Sequence, residues 1–209
     1  MRLVVGITGA TGAIFGIRLL ERLAQIDVET HLCVSSWGRR TIEHETGLSL
    51  AAVHELATHV HPPGDMAATI SSGSYQTDGM VIAPCSMRTL GAIATGTGDT
   101  LIARAADVTL KERRRLVLLA RETPLHEVHL TNMLTLTRMG ATVLPPVPAF
   151  YHLPVTLEDI LDHIVGRTLD QLGLDPGQTP RWHGQLNRAD AVERHTPRSP
   201  GRSGTTGGR

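Results

Sequence analysis

Three residue types are scarce in this chain, and each shortage excludes something. There are two cysteines, Cys33 and Cys85, far apart and both inside apolar runs. This excludes a disulfide framework and a Cys-x-x-Cys metal site, and a reducing cytoplasm is the expected compartment. Aromatic residues make up 3% of the chain: Phe15, Trp37, Tyr75, Phe150, Tyr151 and Trp182. Of the 20 residues that are lysine or arginine, Lys111 is the one lysine. Either coding bias favours arginine, or position 111 wants a compact cation that a planar guanidinium does not replace. No run of about 18 apolar residues occurs, so no segment is expected to cross a membrane. The formal net charge is zero, which offers no case for a nucleic-acid partner. The opening MRLVVGITGATG has no cationic leader before its apolar stretch and reads as a strand, not a signal peptide.

What is present is ordinary for a globular chain of 209 residues: 41% hydrophobic and 19% charged residues, enough for one large α/β domain. Short β-branched or aliphatic runs alternate with helical periodicity. Strands are expected at Leu3–Ile7, Val28–Val34, Met80–Ala83 (ending at Pro84), Leu116–Ala120 and Thr142–Leu144. Helices are expected at Ala13–Gln25, Trp37–Glu45, Leu50–Ala57, Thr89–Ala94, around Arg104–Lys111, at Leu125–Met139 (long and amphipathic) and at Leu157–Leu172, which stops at Gly173. Such alternation implies a parallel sheet with helices on both faces, and ligands bound beyond the carboxyl ends of its strands. Residues 183–209 hold five Gly, two Pro and five Arg. This composition cannot bury enough apolar surface to offset ordering, so the segment is expected to be a disordered, solvated tail beyond a single domain of residues 1–182.

The segments after the strand ends carry the chemistry. Gly6-Ile7-Thr8-Gly9-Ala10-Thr11-Gly12 is a glycine-rich strand–turn–helix, suited to a nucleotide or flavin phosphate at the helix N-terminus. A dinucleotide site would want an acid at the end of the second strand; Val34-Ser35-Ser36 has none. Pro84-Cys85-Ser86-Met87-Arg88-Thr89 offers hydroxyls, an arginine and a second helix start, with Cys85 read as a core thiol. Arg104 and Lys111, seven apart, share a helical face and could form an anion site; the bland alternative is a solvated charged face. Arg121-Glu122 closes the fourth strand at its functional edge. Pro145–His152 is a rigid loop whose Phe150 and Tyr151 serve as a packing plug or as an apolar wall with a phenol. No His, Asp and Glu residues show metal-ligand spacing, so no metal is expected and the chemistry is expected to be metal-independent.

These residues together resemble the UbiX-type flavin prenyltransferases, long labelled aromatic-acid or polyprenyl-hydroxybenzoate decarboxylases. The likeness covers roughly residues 2–182 through GITGATGA, SSGS (Ser71–Ser74), PCSMRTL, ARAADVTLKERR, LVLLARETPLH, HLTNM and PPVPAFYH, in that order. It implies a flavodoxin-like, Rossmann-type α/β subunit, a cytoplasmic homo-dodecamer built of trimers, and FMN bound without a covalent link. It implies transfer of a dimethylallyl group from dimethylallyl phosphate to N5 and C6 of reduced FMN, the prenylated FMN then serving a UbiD-type decarboxylase. Carried over by position, the FMN contacts are Gly9, Ala10, Thr11, Ser35, Ser86, Met87, Arg88, Thr89 and Arg121. The prenyl-phosphate contacts are Arg104, Lys111, Tyr151 and Arg167, with Trp182 nearby. Glu45, Glu122, Lys111 and Thr11 are the catalytic candidates. Thr11 stands where the family commonly has Ser, and Ser36-Trp37 replaces a usual Lys-Ala.

Two other classes are compatible with such a fold. An FMN-dependent decarboxylase of the peptidyl-cysteine or phosphopantothenoylcysteine type would show an early catalytic His and a Pro-x-Met-Asn-x-x-Met-Trp segment, and neither is present. A non-catalytic flavin carrier or assembly partner would have no use for Lys111, Glu122 and Tyr151 together.

Overall fold

Six strands pair in parallel throughout, in the order β3-β2-β1-β4-β5-β6. They are β1 (Arg2–Ile7), β2 (Glu29–Val34), β3 (His59–His61), β4 (Gly79–Cys85), β5 (Arg115–Ala120) and β6 (Thr142–Val143). The computed structural model describes residues 1–175, 177, 179–182 and 184. Seven α-helices lie within these residues: α1 (Ala13–Gln25), α2 (Ser36–Thr46), α3 (Leu50–His54), α4 (Met87–Ala94), α5 (Leu101–Lys111), α6 (Glu127–Arg138) and α7 (Leu157–Leu172). Without the three-residue edge strand β3, the remaining five strands follow the flavodoxin order; with it, they follow the Rossmann order. The chain winds outward from β1 to β3, then returns through a 3-10 turn at Thr69–Ser71 and winds the other way from β4. Right-handed crossovers on either side of that reversal put their helices on opposite faces of the sheet.

The strand side chains obey the period of two. Leu3, Val5, Ile7, Val81, Ala83, Val117 and Leu119 pack with α1 and α7 on one face. Val4, Met80, Ile82, Leu116, Leu118 and Ala120 pack with α4, α5 and α6 on the other. Strands buried on both faces read as unbroken apolar runs, which is why they stand out in the sequence. Expected and observed elements agree to within a few residues, with three differences. First, β4 continues through Pro84 to Cys85. A ladder irregularity between Ile82 and Cys85 takes up the missing proline N–H, and the Pro84 carbonyl accepts from Thr8 instead. Second, β3 was not anticipated: His59-Val60-His61 has one apolar residue and earns its strand geometry by pairing with β2. Third, α6 is not amphipathic within its own chain. Leu136 is its one fully buried residue, while Val128, Leu130 and Leu134 are at least half exposed. The segment 183–209 expected to form a tail lies outside the described residues, apart from Gly184.

Candidate functional site

The reversal of winding opens a crevice between the carboxyl ends of β1 and β4. A cavity of about 310 Å³ sits there, lined by Gly9, Ser35, Ser36, Trp37, Ser86, Arg88, Thr89, Ala92, Asp99, Thr100 and Ile102. Three of these residues are helix N-caps. Ser35 Oγ accepts from Gly38 N (3.0 Å) at α2, Ser86 Oγ from Thr89 N (3.4 Å) at α4, and Thr100 Oγ1 from Ala103 N (3.3 Å) at α5. Three helix dipoles therefore aim their positive ends at one cavity, the arrangement that holds a phosphate. Arg88 adds a side chain reaching solvent, 3.8 Å from Asp99. Gly9 is needed for close approach: a Cβ there would lie 2.4 Å from Trp37 Cβ. The rim is held by Thr8, which sequence reading passed over. Its buried hydroxyl donates to the Pro84 carbonyl (2.8 Å) and accepts from Ser86 N (2.8 Å), tying the end of β1 to the start of α4. Five of the residues expected to contact FMN (Gly9, Ser35, Ser86, Arg88 and Thr89) thus share one cavity, together with Ser36 and Trp37, the pair that departs from the family pattern, and the unanticipated Asp99, Thr100 and Ile102.

The glycine-rich turn works differently from the expectation. The N-terminus of α1 was read as the phosphate site, but its amides have a partner within the chain. Glu45, near the end of α2, accepts from Gly12 N (2.8 Å) and Ala13 N (3.0 Å). Gly12 makes this possible by turning left-handed, φ 98°. Burial pushes the Glu45 carboxyl up, but hydrogen bonds from Thr11, Gly12 and Ala13 outweigh it and hold the group below the ordinary glutamate range. Glu45 is an ionised cap on α1 that also holds the Thr11 side chain. Cys85 is a core thiol as expected: burial pushes it up to about 12. Met87 packs against the core beside α4. Arg121 follows β5 directly and its N–H donates to the Cys85 carbonyl (3.1 Å). Glu122 is exposed, accepts from Thr123 N (3.0 Å), and among the described residues makes no ion pair with Arg121.

The cations and aromatics expected to bind a prenyl phosphate are not gathered by one chain. Arg104 and Lys111 do share a face of α5, roughly 10 Å apart along its axis. That face lies on the Ser71–Ser74 segment, where Arg104 Nε donates to the Ser71 carbonyl (3.1 Å) and Nη1 to Asp107 (2.6 Å). Lys111 pairs with Glu112 next to Gly73, at the amino edge of the sheet. Tyr151, Arg167 and Trp182 belong to the other face. Tyr151 Oη bonds His163 Nε2 on α7 (2.9 Å), the Tyr151 and Trp182 rings meet edge to face at 5.9 Å, and Arg167 pairs with Asp170. The sheet stands between these two groups, because α5 and α7 cover opposite faces. The seven-residue spacing was visible in sequence; which face each helix covers is decided by the winding.

The sequence shows no metal-ligand spacing, but the fold brings three ligating side chains together at the amino edge. Glu29, His31 and His59 each offer a ligand atom within 4.8 Å of the others. The signal was the Glu-x-His and His-x-His pattern at 29/31 and 59/61, which acquires meaning once β3 is known to lie beside β2.

Comparison with known proteins places these features among relatives. The flavoprotein family profile matches residues 1–169. A probable UbiX-like flavin prenyltransferase of Streptomyces sp. (strain D7) is 63% identical over 185 residues, covering 88% of this chain and 92% of the relative. The crystal structure of AnUbiX (PadA1) in complex with FMN and dimethylallyl pyrophosphate is 55% identical, with a TM-score of 0.87 over 88% of this chain and 98% of that one. The structure of a dodecameric FMN-dependent UbiX-like decarboxylase from Escherichia coli O157:H7 is also 55% identical, with a TM-score of 0.87 over 88% and 100%.

Proposed function

The chain belongs to the flavoprotein family, among its UbiX-like flavin prenyltransferases, and on that premise we propose how its residues join a dimethylallyl group to reduced FMN. The observation that carries the reading is the convergence of three capped helix N-termini on the cavity at the sheet's winding reversal. Its size falls in the range of small-molecule sites, and Gly9 leaves room that a side chain would fill. Gly9, Ser35, Ser86, Arg88 and Thr89 would hold FMN in this cavity, with Ala10, Thr11, Met87 and Arg121 as further contacts. When bound, reduced FMN supplies the nucleophilic N5 and C6 atoms to which the prenyl carbons bond as the C–O bond to phosphate breaks.

The remaining work falls to this chain's side chains. A departing phosphate needs fixed cations where its charge develops, and Lys111, Arg104 and Arg167 supply them. Tyr151 and Trp182 give the prenyl group π faces without a competing nucleophile. Glu45, locked on Gly12 and Ala13, positions Thr11. Glu122, exposed at the carboxyl end of β5, takes the proton released as C6 is alkylated. The division of Lys111 and Arg167 between opposite faces is met by assembly: one copy's α5 edge completes the cavity of another, within a homo-oligomer for which the dodecameric neighbour is the pattern. The exposed apolar row on α6 and the loop residues Val147 and Phe150 are suited to such contacts. The product is taken up by a UbiD-type decarboxylase in the cytoplasm.

Incubating the protein with reduced FMN and dimethylallyl phosphate, then weighing the extracted flavin, tests the reading. A flavin heavier by one prenyl group is expected. Unmodified flavin with carbon dioxide released from an aromatic or peptidyl acid would support the decarboxylase reading, and unmodified flavin with neither activity a carrier.

A further inference from the structure

The proposed reaction makes no use of the amino edge of β2 and β3, and this edge holds the densest group of ligating side chains in the described residues. Glu29 and His31 sit two apart on β2, so both project to the same face. β3 pairs in register, His31 opposite His59 and Cys33 opposite His61, which adds two imidazoles. Tyr75 closes the group from the segment before β4.

We propose that Glu29, His31 and His59 form a binding site for a zinc-class divalent metal ion, which clamps the edge strand β3 to β2. Ligands held at 2.0–2.1 Å around a tetrahedral ion lie roughly 3.3 Å from one another. Glu29 Oε1 is 3.2 Å from His31 Nε2 and 3.4 Å from His59 Nε2, so the carboxylate already stands at ligand spacing from both rings. A small rotation of the half-exposed His59 brings the third separation, within 4.8 Å, to the same value. The fourth position lies toward Tyr75 Oη, 3.1 Å from His31 Nε2, or toward water.

The surroundings are those of a supported site. His31 is buried, and its far ring nitrogen, Nδ1, is 2.9 Å from His61 Nε2, a partner that orients the ring and fixes its tautomer. Arg2 Nε holds the same Glu29 oxygen at 2.8 Å and its guanidinium lies over the Tyr75 ring at 4.6 Å, which fixes the carboxylate, and an ion must share that oxygen with the guanidinium or displace it. The imidazole and carboxylate donors suit zinc, copper or nickel better than calcium or magnesium.

The test uses the full chain, stripped with a chelator and titrated with Zn²⁺ alone, with bound metal counted per chain and the thermal midpoint followed. One Zn²⁺ per chain and a raised midpoint are expected. His59→Ala should lose both, and His61→Ala should weaken binding about 10- to 100-fold. Glu29→Gln keeps the side-chain shape and should lose Zn²⁺ as well, which covers the case in which His59→Ala folds poorly. FMN retention by each variant reports on the opposite edge and should not change. Wild-type protein that binds no stoichiometric Zn²⁺, or His59→Ala and Glu29→Gln chains that bind it as tightly as wild type, overturns the proposal.

Discussion

The two edges of the sheet are built on different terms. At the carboxyl edge each functional feature follows its strand within a few residues: Gly9 after β1, Ser35 after β2, Ser86 after β4, Arg121 after β5. At the amino edge the features come from distant segments brought side by side: Glu29 and His31 with His59, Tyr75 with Arg2, Lys111 with Gly73. The first edge is a row of local strand–turn–helix units. The second is made by register and winding.

The largest expected effect lies on a residue of the amino edge that the reaction is proposed to use at the carboxyl edge. Lys111→Arg should retain FMN and fold normally, yet lose turnover on the order of a hundredfold, because a guanidinium does not reproduce a point charge on the leaving phosphate. Single-turnover prenylation at saturating donor reads this directly, and a near-normal rate would return the lone lysine to the surface. At the carboxyl edge, Thr8→Val removes the hydroxyl between the Pro84 carbonyl and Ser86 N. Ser86 N loses its partner while the Pro84 carbonyl keeps the Thr8 N–H (3.2 Å), so a loss of about 1–3 kcal/mol in denaturant stability is expected, with weaker FMN binding. An unchanged unfolding midpoint would show that β1 and α4 are held together by packing alone.

Glu45→Gln tests the anionic cap of α1 through pH. The folded carboxyl lies below its ordinary range, so the ionised form stabilises the fold above that range and the contribution disappears as pH falls through the folded value. The stability gap between wild type and Glu45→Gln should be full at neutral pH and close in acid. A gap independent of pH would mean that shape, not charge, matters at Gly12 and Ala13. The smallest effect is expected from truncation after Trp182. If residues 183–209 carry no core, melting and prenylation should match the full chain, and loss of either would give that segment a role.

The same contrast explains what the sequence disclosed. Apolar runs buried on both faces announced β1, β2, β4 and β5, and the small residues around Gly9 and the hydroxyls after Pro84 pointed to the carboxyl ends of β1 and β4. Glu45 as the cap of α1 was not legible, because it depends on α2 folding back over the first turn. Nor was the separation of Lys111 from Arg167, since spacing along a chain does not say which face of a sheet a helix covers. β3 escaped because one valine between two histidines has no apolar pattern, and with it went the Glu29–His31–His59 group.

The central claim is that the two edges of different copies meet in one site, and mixing two disabled chains tests it most directly. In Gly9→Val, the added side chain runs into Trp37 and closes the cavity; in Lys111→Arg, the cavity is intact but the partner edge is impaired. Each variant assembled alone should leave flavin almost unmodified. Co-assembled, an open cavity from the Lys111→Arg chain can face the intact Lys111 of a Gly9→Val chain, and the mass of the extracted flavin should show prenylation restored to a sizeable fraction of wild type. Mixed assemblies verified by native mass spectrometry that still return unmodified flavin would contradict a site shared between copies.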